Sequence, residues 1–314
     1  MTDTSPTVIA VGYGGPDVLR VIEIDPGDPG PGEVLLDIRA AAVNPIDWKL
    51  YAPSPHADPT RLPMRLGFEV AGVVAAVGPS VRWLSPGDEV IAWRVRGGYT
   101  GRLVVPEQVT VRKPASLDWA AASGLLLTGA TAVHTLTATR TGTGDVVLVH
   151  GGSGGVGRMV VQLAALRGAR VIATASPASH DDLRALGAEP VAYGTGLVER
   201  VREAAGAPVT VAIDTVGSDE ALDSSVELVA DRTRIATIAG FARAAGLGVL
   251  ALGGGPGADP GTQVREAARA QLVELAADQA LDVAVAGVYP LDQVALAHEV
   301  SRAGHARGKL VLTP

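Results

Sequence analysis

Two rhythms of apolar and polar positions divide the chain. Up to Pro114 the apolar positions fall in short runs: TVIAVG, EVLLDIRAAAV, FEVAGVVAAVG, DEVIAWRV and GRLVVP. Gly- and Pro-rich punctuation such as DPGDPGPGE and SPGDE separates them. Short runs bounded by turn residues predict strands, and several in series predict an antiparallel barrel or sandwich.

The rhythm changes after Pro114. SLDWAAASGLLLTGATAVHTL carries Ala and Leu at helical spacing, with Ser116 as N-cap and Asp118 in the first turn. From Gly144 onward apolar runs alternate with helical segments. Strand DVVLVHG leads to helix GRMVVQLAALRG, and strand RVIATAS to helix SHDDLRALG. PVAYG, VTVAIDTV, TRIATIAG and LGVLALG follow as further strands, with helices GLVERVREAAG and DEALDSSVELVA among them. Runs rich in Val, Ile and Ala, separated by single helices, predict a parallel sheet covered on both faces. A long helix, TQVREAARAQLVELAADQAL, then VAVAGVYPL, helix DQVALAHEVSRAG and strand GKLVLTP complete the chain.

VHGGSGGVGRM, residues 149–159, packs five glycines into eleven positions. Within it Gly152, Ser153, Gly154, Gly155, Val156 and Gly157 fit G-x-G-x-x-G, placed after a predicted strand and at the head of a predicted helix over 157–167. That context turns a weak pattern into a dinucleotide signature. The glycines permit a tight turn, let a pyrophosphate approach the main chain, and let helix and strand pack closely. The free N–H groups at the helix start then hold the anion. In NAD binders a carboxylate about 20 residues on grips the ribose 2′-hydroxyl. Here Ser176 stands at that strand end, and no acid occurs until Asp181. A small hydroxyl leaves room for a 2′-phosphate, so NADP(H) is the expected cofactor. Thr174, Ser176, Ser179, His180, Arg184 and Tyr193 are the nearby polar groups.

Composition narrows the function classes. At 314 residues the chain is long enough for two domains. The formal charge is −7 with no basic run, which argues against nucleic acid as a partner. No apolar stretch reaches membrane-spanning length, and MTDTSPTVIAVGYG lacks the layout of a secretory signal. There are no cysteines, which removes disulfides, thiolate catalysis and Cys-based zinc sites. A reducing cytoplasm is the expected address.

Several separated motifs coincide in order: GGPDVLRV, AAVNPIDWK, LGFEVAGVVAAVG, PGDEV, GGY, GGSGGVGRMVVQLA and GHARGKLVL. Together they resemble the medium-chain dehydrogenase/reductase superfamily, and more narrowly its zinc-independent quinone oxidoreductase branch, which includes zeta-crystallin and the alkenal reductases. The resemblance implies an α/β protein. A GroES-like β-barrel catalytic domain spans 1–124, with 266–314 returning to it, and a Rossmann doubly wound parallel-sheet domain spans 125–265. It further implies a cofactor in the cleft between them, and two-fold association into a homodimer, for which LGVLALG is a suitable edge strand. The zinc-dependent branch carries a ligand Cys in the segment matching VNPIDWK and a ligand His in Gly-His-Glu. This chain has Asn44 and Pro45, then Phe68 before Glu69. Glu69 alone cannot assemble a three-ligand zinc site.

Without a Lewis acid, acceptors that delocalise the developing charge are the suitable ones, hence a quinone or α,β-unsaturated carbonyl. NPIDWKLY and the loop AWRVRGGY supply the catalytic candidates: Asn44, toward the nicotinamide ribose or the substrate oxygen, Lys49, which the resemblance turns toward the cofactor, and Tyr51 as a further donor, with Asp47 a structural acceptor and Trp93 and Tyr99 as pocket wall. The family match adds further contacts. It nominates Thr128, Ala239, Gly240, Phe241 and Lys309 as cofactor contacts, Lys309 toward a phosphate or else solvated. A flexible stretch, LGGGPG, is either a cover or a plain surface loop. His134, His150, His298 and His305 form no metal-spaced cluster. Two further readings stay open: a protein that binds NADPH without turnover, and an enoyl reductase of a biosynthetic pathway.

Overall fold

The computed structural model describes residues 4–55 and 57–314. The chain divides into two compact units, Met1–Leu127 with Val273–Pro314, and Thr128–Leu272. It opens with β1 (Ser5–Ala10), β2 (Leu19–Ile24), β3 (Glu33–Val43), helix α1 (Pro45–Tyr51), β4 (Met64–Arg65), β5 (Glu69–Val77), β6 (Glu89–Trp93), β7 (Arg102–Pro106) and β8 (Thr110–Arg112). Helices α2 (Trp119–Ser123) and α3 (Leu125–Ala138) follow. The second unit then runs β9 (Val146–His150), α4 (Gly155–Leu166), β10 (Arg170–Thr174), α5 (His180–Ala185), β11 (Ala188–Val191), α6 (Leu197–Ala205), β12 (Val211–Asp214), α7 (Asp219–Leu228), β13 (Ile235–Thr237), α8 (Phe241–Leu247) and β14 (Leu250–Ala251). Helix α9 (Thr262–Ala277) hands the chain back, and β15 (Val285–Pro290), α10 (Val294–Ala303) and β16 (Lys309–Thr313) finish it.

In the first unit β3 is the organising strand. It pairs antiparallel with β5, β7 and β16 within a seven-stranded sheet, while β2, β1 and β4 form a smaller one. The fully apolar C-terminal half of β3 explains its centrality: Ala40, Ala41, Ala42 and Val43 are all buried. The register of β16 against β3 sets Leu310 opposite Val43. That pairing carries Lys309 to the end of β3, where Asn44 begins α1.

The helical stretch expected over 116–136 is present, but its expected N-cap, Ser116, is corrected. The chain breaks at Gly124, between α2 and α3, and the N-cap is Asp118, whose carboxylate accepts the Ala121 N–H at 2.7 Å. Ser116 instead donates to the Ala276 carbonyl. The break has a packing reason, because a Cβ at Gly124 would lie 2.8 Å from Lys309 Cγ. Strands β2, β4 and β8 were not anticipated. In β2 four consecutive residues are exposed, which erases the apolar alternation that marks a strand.

The second unit is a parallel sheet in the order β11-β10-β9-β12-β13-β14. Counted from β9, this is the 3-2-1-4-5-6 order of a doubly wound nucleotide-binding sheet. All five residues of β9 are buried, as a central strand covered on both faces requires. The order reverses between β9 and β12, so the carboxyl ends of these two strands mark the switch point. The strand expected at LGVLALG shrinks to Leu250–Ala251 at the sheet edge. Among the described residues no helix is long and apolar enough to cross a membrane.

Candidate active site

The glycine stretch lies at the switch point. Gly151 follows β9 with φ of 75°, and a Cβ there would come within 2.7 Å of Thr215 Oγ1. The Gly152 N–H donates to the Thr174 carbonyl (2.9 Å), the Gly151 N–H to Thr174 Oγ1 (3.2 Å), and the Gly154 N–H to the Gly151 carbonyl (3.1 Å). Gly154 is the N-cap of α4, which starts at Gly155, two residues ahead of the expected start. Gly155, Val156 and Gly157 therefore form its first turn, whose N–H groups have no acceptor within the helix. A Cβ at Gly157 would sit 2.1 Å from the Gly151 carbonyl oxygen, closer than any side chain permits. This is a cradle of bare main chain at the positive end of a helix, the arrangement that suits a pyrophosphate.

The surrounding candidates divide by position. Thr174 is buried and anchors the loop from behind, while Ser176 is half-buried just beyond β10 and Tyr193 is 56 % exposed. Thr128 is buried in α3. Ala239 and Gly240 lead from β13 into α8, which begins at Phe241. Sequence reasoning missed what fixes them. The buried Asp214 carboxylate accepts the Val216 and Gly217 N–H groups, each at 2.9 Å, and the Thr237 hydroxyl at 2.6 Å. Thr237 Oγ1 in turn accepts the Gly240 N–H at 2.8 Å. The available signal was the acid at the end of VTVAIDTV, directly before a glycine turn. His150, at the end of β9, faces Ser225 Oγ at 3.1 Å, and burial pushes its imidazole down to about 4.

In the first unit the structure assembles a buried polar cluster. Asn44, 2 % exposed, caps α1, with Pro45 in the first turn where a missing N–H costs nothing. Asp47, one turn on, accepts the Asn44 N–H at 2.7 Å and the Gly67 N–H at 3.1 Å, and Tyr99 donates to it as well. Burial pushes the Asp47 carboxyl up to about 6 against those bonds. Glu69, fully buried on β5, accepts the Leu126 and Leu127 N–H groups at 2.5 and 2.9 Å, while its Oε2 has no partner. Burial raises this carboxyl to about 7, opposed by the charge of Lys309. The Lys309 ammonium donates to Asn44 Oδ1 at 2.6 Å and to the Val43 carbonyl at 3.1 Å. Burial lowers its affinity for a proton, while Glu69 and Asp47 act the other way.

Three catalytic candidates thus separate. Asn44 belongs to the cluster. Lys49 is exposed on α1, its ammonium 5.5 Å from the centre of the Trp48 ring. Tyr51 is 1 % exposed, and its hydroxyl lies 2.7 Å from His298 Nδ1, with the two rings stacked. Trp93 and Tyr99, expected as pocket wall, are buried at 4 % and 0 % exposure, Tyr99 within the apolar core of this unit. Lys309 is not a solvated tail lysine: it is buried, and its ammonium is held by Asn44 and the Val43 carbonyl.

Comparison with known proteins bears on both units. Residues 30–115 match the family described as "Alcohol dehydrogenase GroES-like domain", and 186–312 that described as "Zinc-binding dehydrogenase". The NADPH-dependent alkenal/one oxidoreductase of Arabidopsis thaliana is 30 % identical, over 96 % of this chain and 78 % of its own. Quinone oxidoreductase 1 of Escherichia coli is 30 % identical, over 96 % of this chain and 97 % of its own. The chain belongs to the medium-chain dehydrogenase/reductase superfamily, in its quinone oxidoreductase and alkenal reductase branch. A solved structure of the Escherichia coli quinone oxidoreductase complexed with NADPH superposes with a TM-score of 0.84 at 26 % identity, covering 98 % of this chain and all of that one. As a member of this superfamily the chain has a mixed α/β fold, with a GroES-like domain and a Rossmann-like parallel sheet. Among the described residues no three His, Cys, Asp or Glu side chains cluster as metal ligands.

Proposed function

We propose that this protein is an NADPH-dependent reductase of quinones or α,β-unsaturated carbonyls that works without a metal ion. The observation that carries the reading is the Gly151–Gly157 cradle, where a Cβ would collide with the main chain and unpaired helix N–H groups remain. Those features fit a dinucleotide diphosphate. Gly152, Ser153, Gly154, Gly155, Val156 and Gly157 are assigned to it, Ser176 and Tyr193 to the 2′-phosphoribose, and Thr128, Ala239, Gly240 and Phe241 to the nicotinamide end. When bound, NADPH supplies a hydride to a carbon conjugated with the acceptor's oxygen, and one proton from solvent completes the reduced product.

The residues of this chain do the positioning. Asn44 is assigned as the donor to the acceptor's oxygen, where charge develops and a fixed hydrogen bond gains strength. The metal-free reading is supported by Asn44, Pro45 and Phe68 at the positions where the zinc-dependent branch has ligands. The relatives' names support the acceptor class: they are an alkenal/one oxidoreductase and a quinone oxidoreductase. Closure of the first unit's strands into a barrel, a homodimeric state and a cytoplasmic address complete the reading.

The test is direct. Purified protein is mixed with NADPH and with menadione, methyl vinyl ketone or cyclohexenone, and nicotinamide absorbance is followed. Turnover of at least one acceptor class, unchanged by a chelator, is expected. Tight NADPH binding with no oxidation of any acceptor would instead leave a nucleotide-binding protein.

A further inference from the structure

The chain has a single asparagine, Asn44, and only three lysines, Lys49, Lys113 and Lys309. One of those lysines is buried against that asparagine.

An asparagine amide has two ends of nearly equal shape and opposite polarity, and its neighbours decide which way it points. Lys309 is a donor only, so the atom 2.6 Å from its ammonium must be the amide oxygen. The other end then faces the Ala42 carbonyl, which accepts from Nδ2 at 3.3 Å. The main chain is fixed independently, since the Asn44 N–H donates to Asp47, and the same reciprocal cap gives the amide oxygen a second donor, the Asp47 N–H. One amide N–H remains after these bonds are counted. Lys309 cannot slide away from the oxygen. Its stem runs past Gly124, where even a Cβ would lie 2.8 Å from Cγ, and its ammonium also holds the Val43 carbonyl. The nearby Glu69 and Asp47 carboxylates favour keeping it charged.

We propose that Lys309 is the positioning residue for Asn44: its buried ammonium, acting with the Asp47 N–H on the same oxygen, locks the amide in one orientation, so that the remaining N–H is presented as a fixed donor. The kinetic part rests on the reductase reading above, with that N–H directed at the acceptor's oxygen. A donor fixed before the reaction needs no reorganisation when charge develops, so its loss lowers kcat more than it raises KM.

The experiment labels the protein with [15N]asparagine, which gives one side-chain amide resonance pair because there is one asparagine. The native protein is expected to show a dispersed, slowly exchanging pair. Lys309→Met keeps the stem and removes the charge, and should shift the pair and speed its exchange, because only the Asp47 N–H and the Ala42 carbonyl then hold the amide, while circular dichroism stays native. Lys309→Gln is the second variant should the first fail to fold. An amide pair unmoved in a folded variant overturns the proposal, whether or not the protein reduces anything.

Where native protein reduces menadione with NADPH, a double-mutant cycle adds the kinetic reading. Asn44→Ala and Lys309→Met should each lower kcat about tenfold, the scale of one well-placed hydrogen bond. Lys309→Met in the Asn44→Ala background should then change kcat less than about twofold. Multiplying effects mean that Lys309 acts on something other than Asn44, and the proposal falls. Absence of turnover in the native protein counts against the reductase reading alone and leaves the resonance test to decide this one.

Discussion

Gly157 packs against the Gly151 carbonyl so closely that a Cβ would lie 2.1 Å from its oxygen. The first turn of α4 and the end of β9 are thereby held in backbone-to-backbone contact, with no flexible side chain to absorb an intruder. Gly157→Ala must push the helix from the strand. We expect it to cost at least about 3 kcal/mol of stability, the upper part of the overpacking range, because main chain must move. NADPH affinity, read by titration of nicotinamide fluorescence, should fall about 100-fold or more, since the displaced N–H groups are the anion site. A Gly157→Ala protein that binds NADPH normally would refute the cradle.

Glu69 sets a pH dependence whose sign is fixed. Its folded-state pKa is raised from 4.5 to about 7, so the folded protein holds a proton that the unfolded chain has released across that window. Stability from this group is complete below 4.5 and is lost as pH rises through 7. Glu69→Gln removes the contribution while keeping an oxygen for the Leu126 and Leu127 N–H groups. The stability of the variant relative to the native protein should therefore improve steadily from pH 4.5 to 7, as read by urea denaturation. Asp47, raised to about 6, acts in the same sense and remains in both proteins, so the difference isolates Glu69. A difference that is flat with pH would refute the assignment.

Tyr51, His298 and Tyr99 form a directed chain. An ionised Asp47 only accepts, so Tyr99 donates to it. His298 Nε2 then donates to Tyr99 across a long 3.4 Å, and Nδ1 accepts from Tyr51 at 2.7 Å. This requires a neutral imidazole, in accord with the burial that lowers His298 to about 4. Tyr51→Phe strands Nδ1 in the core and should cost about 1–3 kcal/mol, measurable by calorimetry. His298 is silent at neutral pH, and its stabilising neutrality should be lost as pH falls from 6.5 toward 4. A Tyr51→Phe protein as stable as the native one would mean the chain is not formed.

The second unit was the more legible part of the sequence, because a parallel sheet buried on both faces writes itself as plain apolar runs. EVLLDIRAAAV likewise gave β3 to the residue, since its buried half contains nothing polar. The cluster around Asn44 was legible only in fragments. Asn44 and Glu69 sit in recognisable motifs, yet Lys309 joins them through the β16–β3 register, which spans most of the chain. Lys49 was the more obvious lysine for being near in sequence, and helical periodicity turns it outward while Asn44, Asp47 and Tyr51 face in. No local signal predicts that a lysine five residues from the C-terminus will be buried.

Ser176 provides the sharpest test of cofactor choice. It stands half-buried where the chain leaves β10 and caps the short turn Pro177–Ser179, with its main chain in extended conformation. A hydroxyl at that strand end tolerates a 2′-phosphate, and a carboxylate there would repel the phosphate and instead accept from a free 2′-hydroxyl. Asp is also a good residue ahead of a turn, so the substitution need not disturb the fold. Ser176→Asp should lower kcat/KM for NADPH about 10- to 100-fold, some 1.4–2.8 kcal/mol, and raise it for NADH. Steady-state kinetics with both nucleotides and one acceptor decide the matter. Equal losses for the two would place the 2′ position away from Ser176, and Tyr193 would become the next residue to replace.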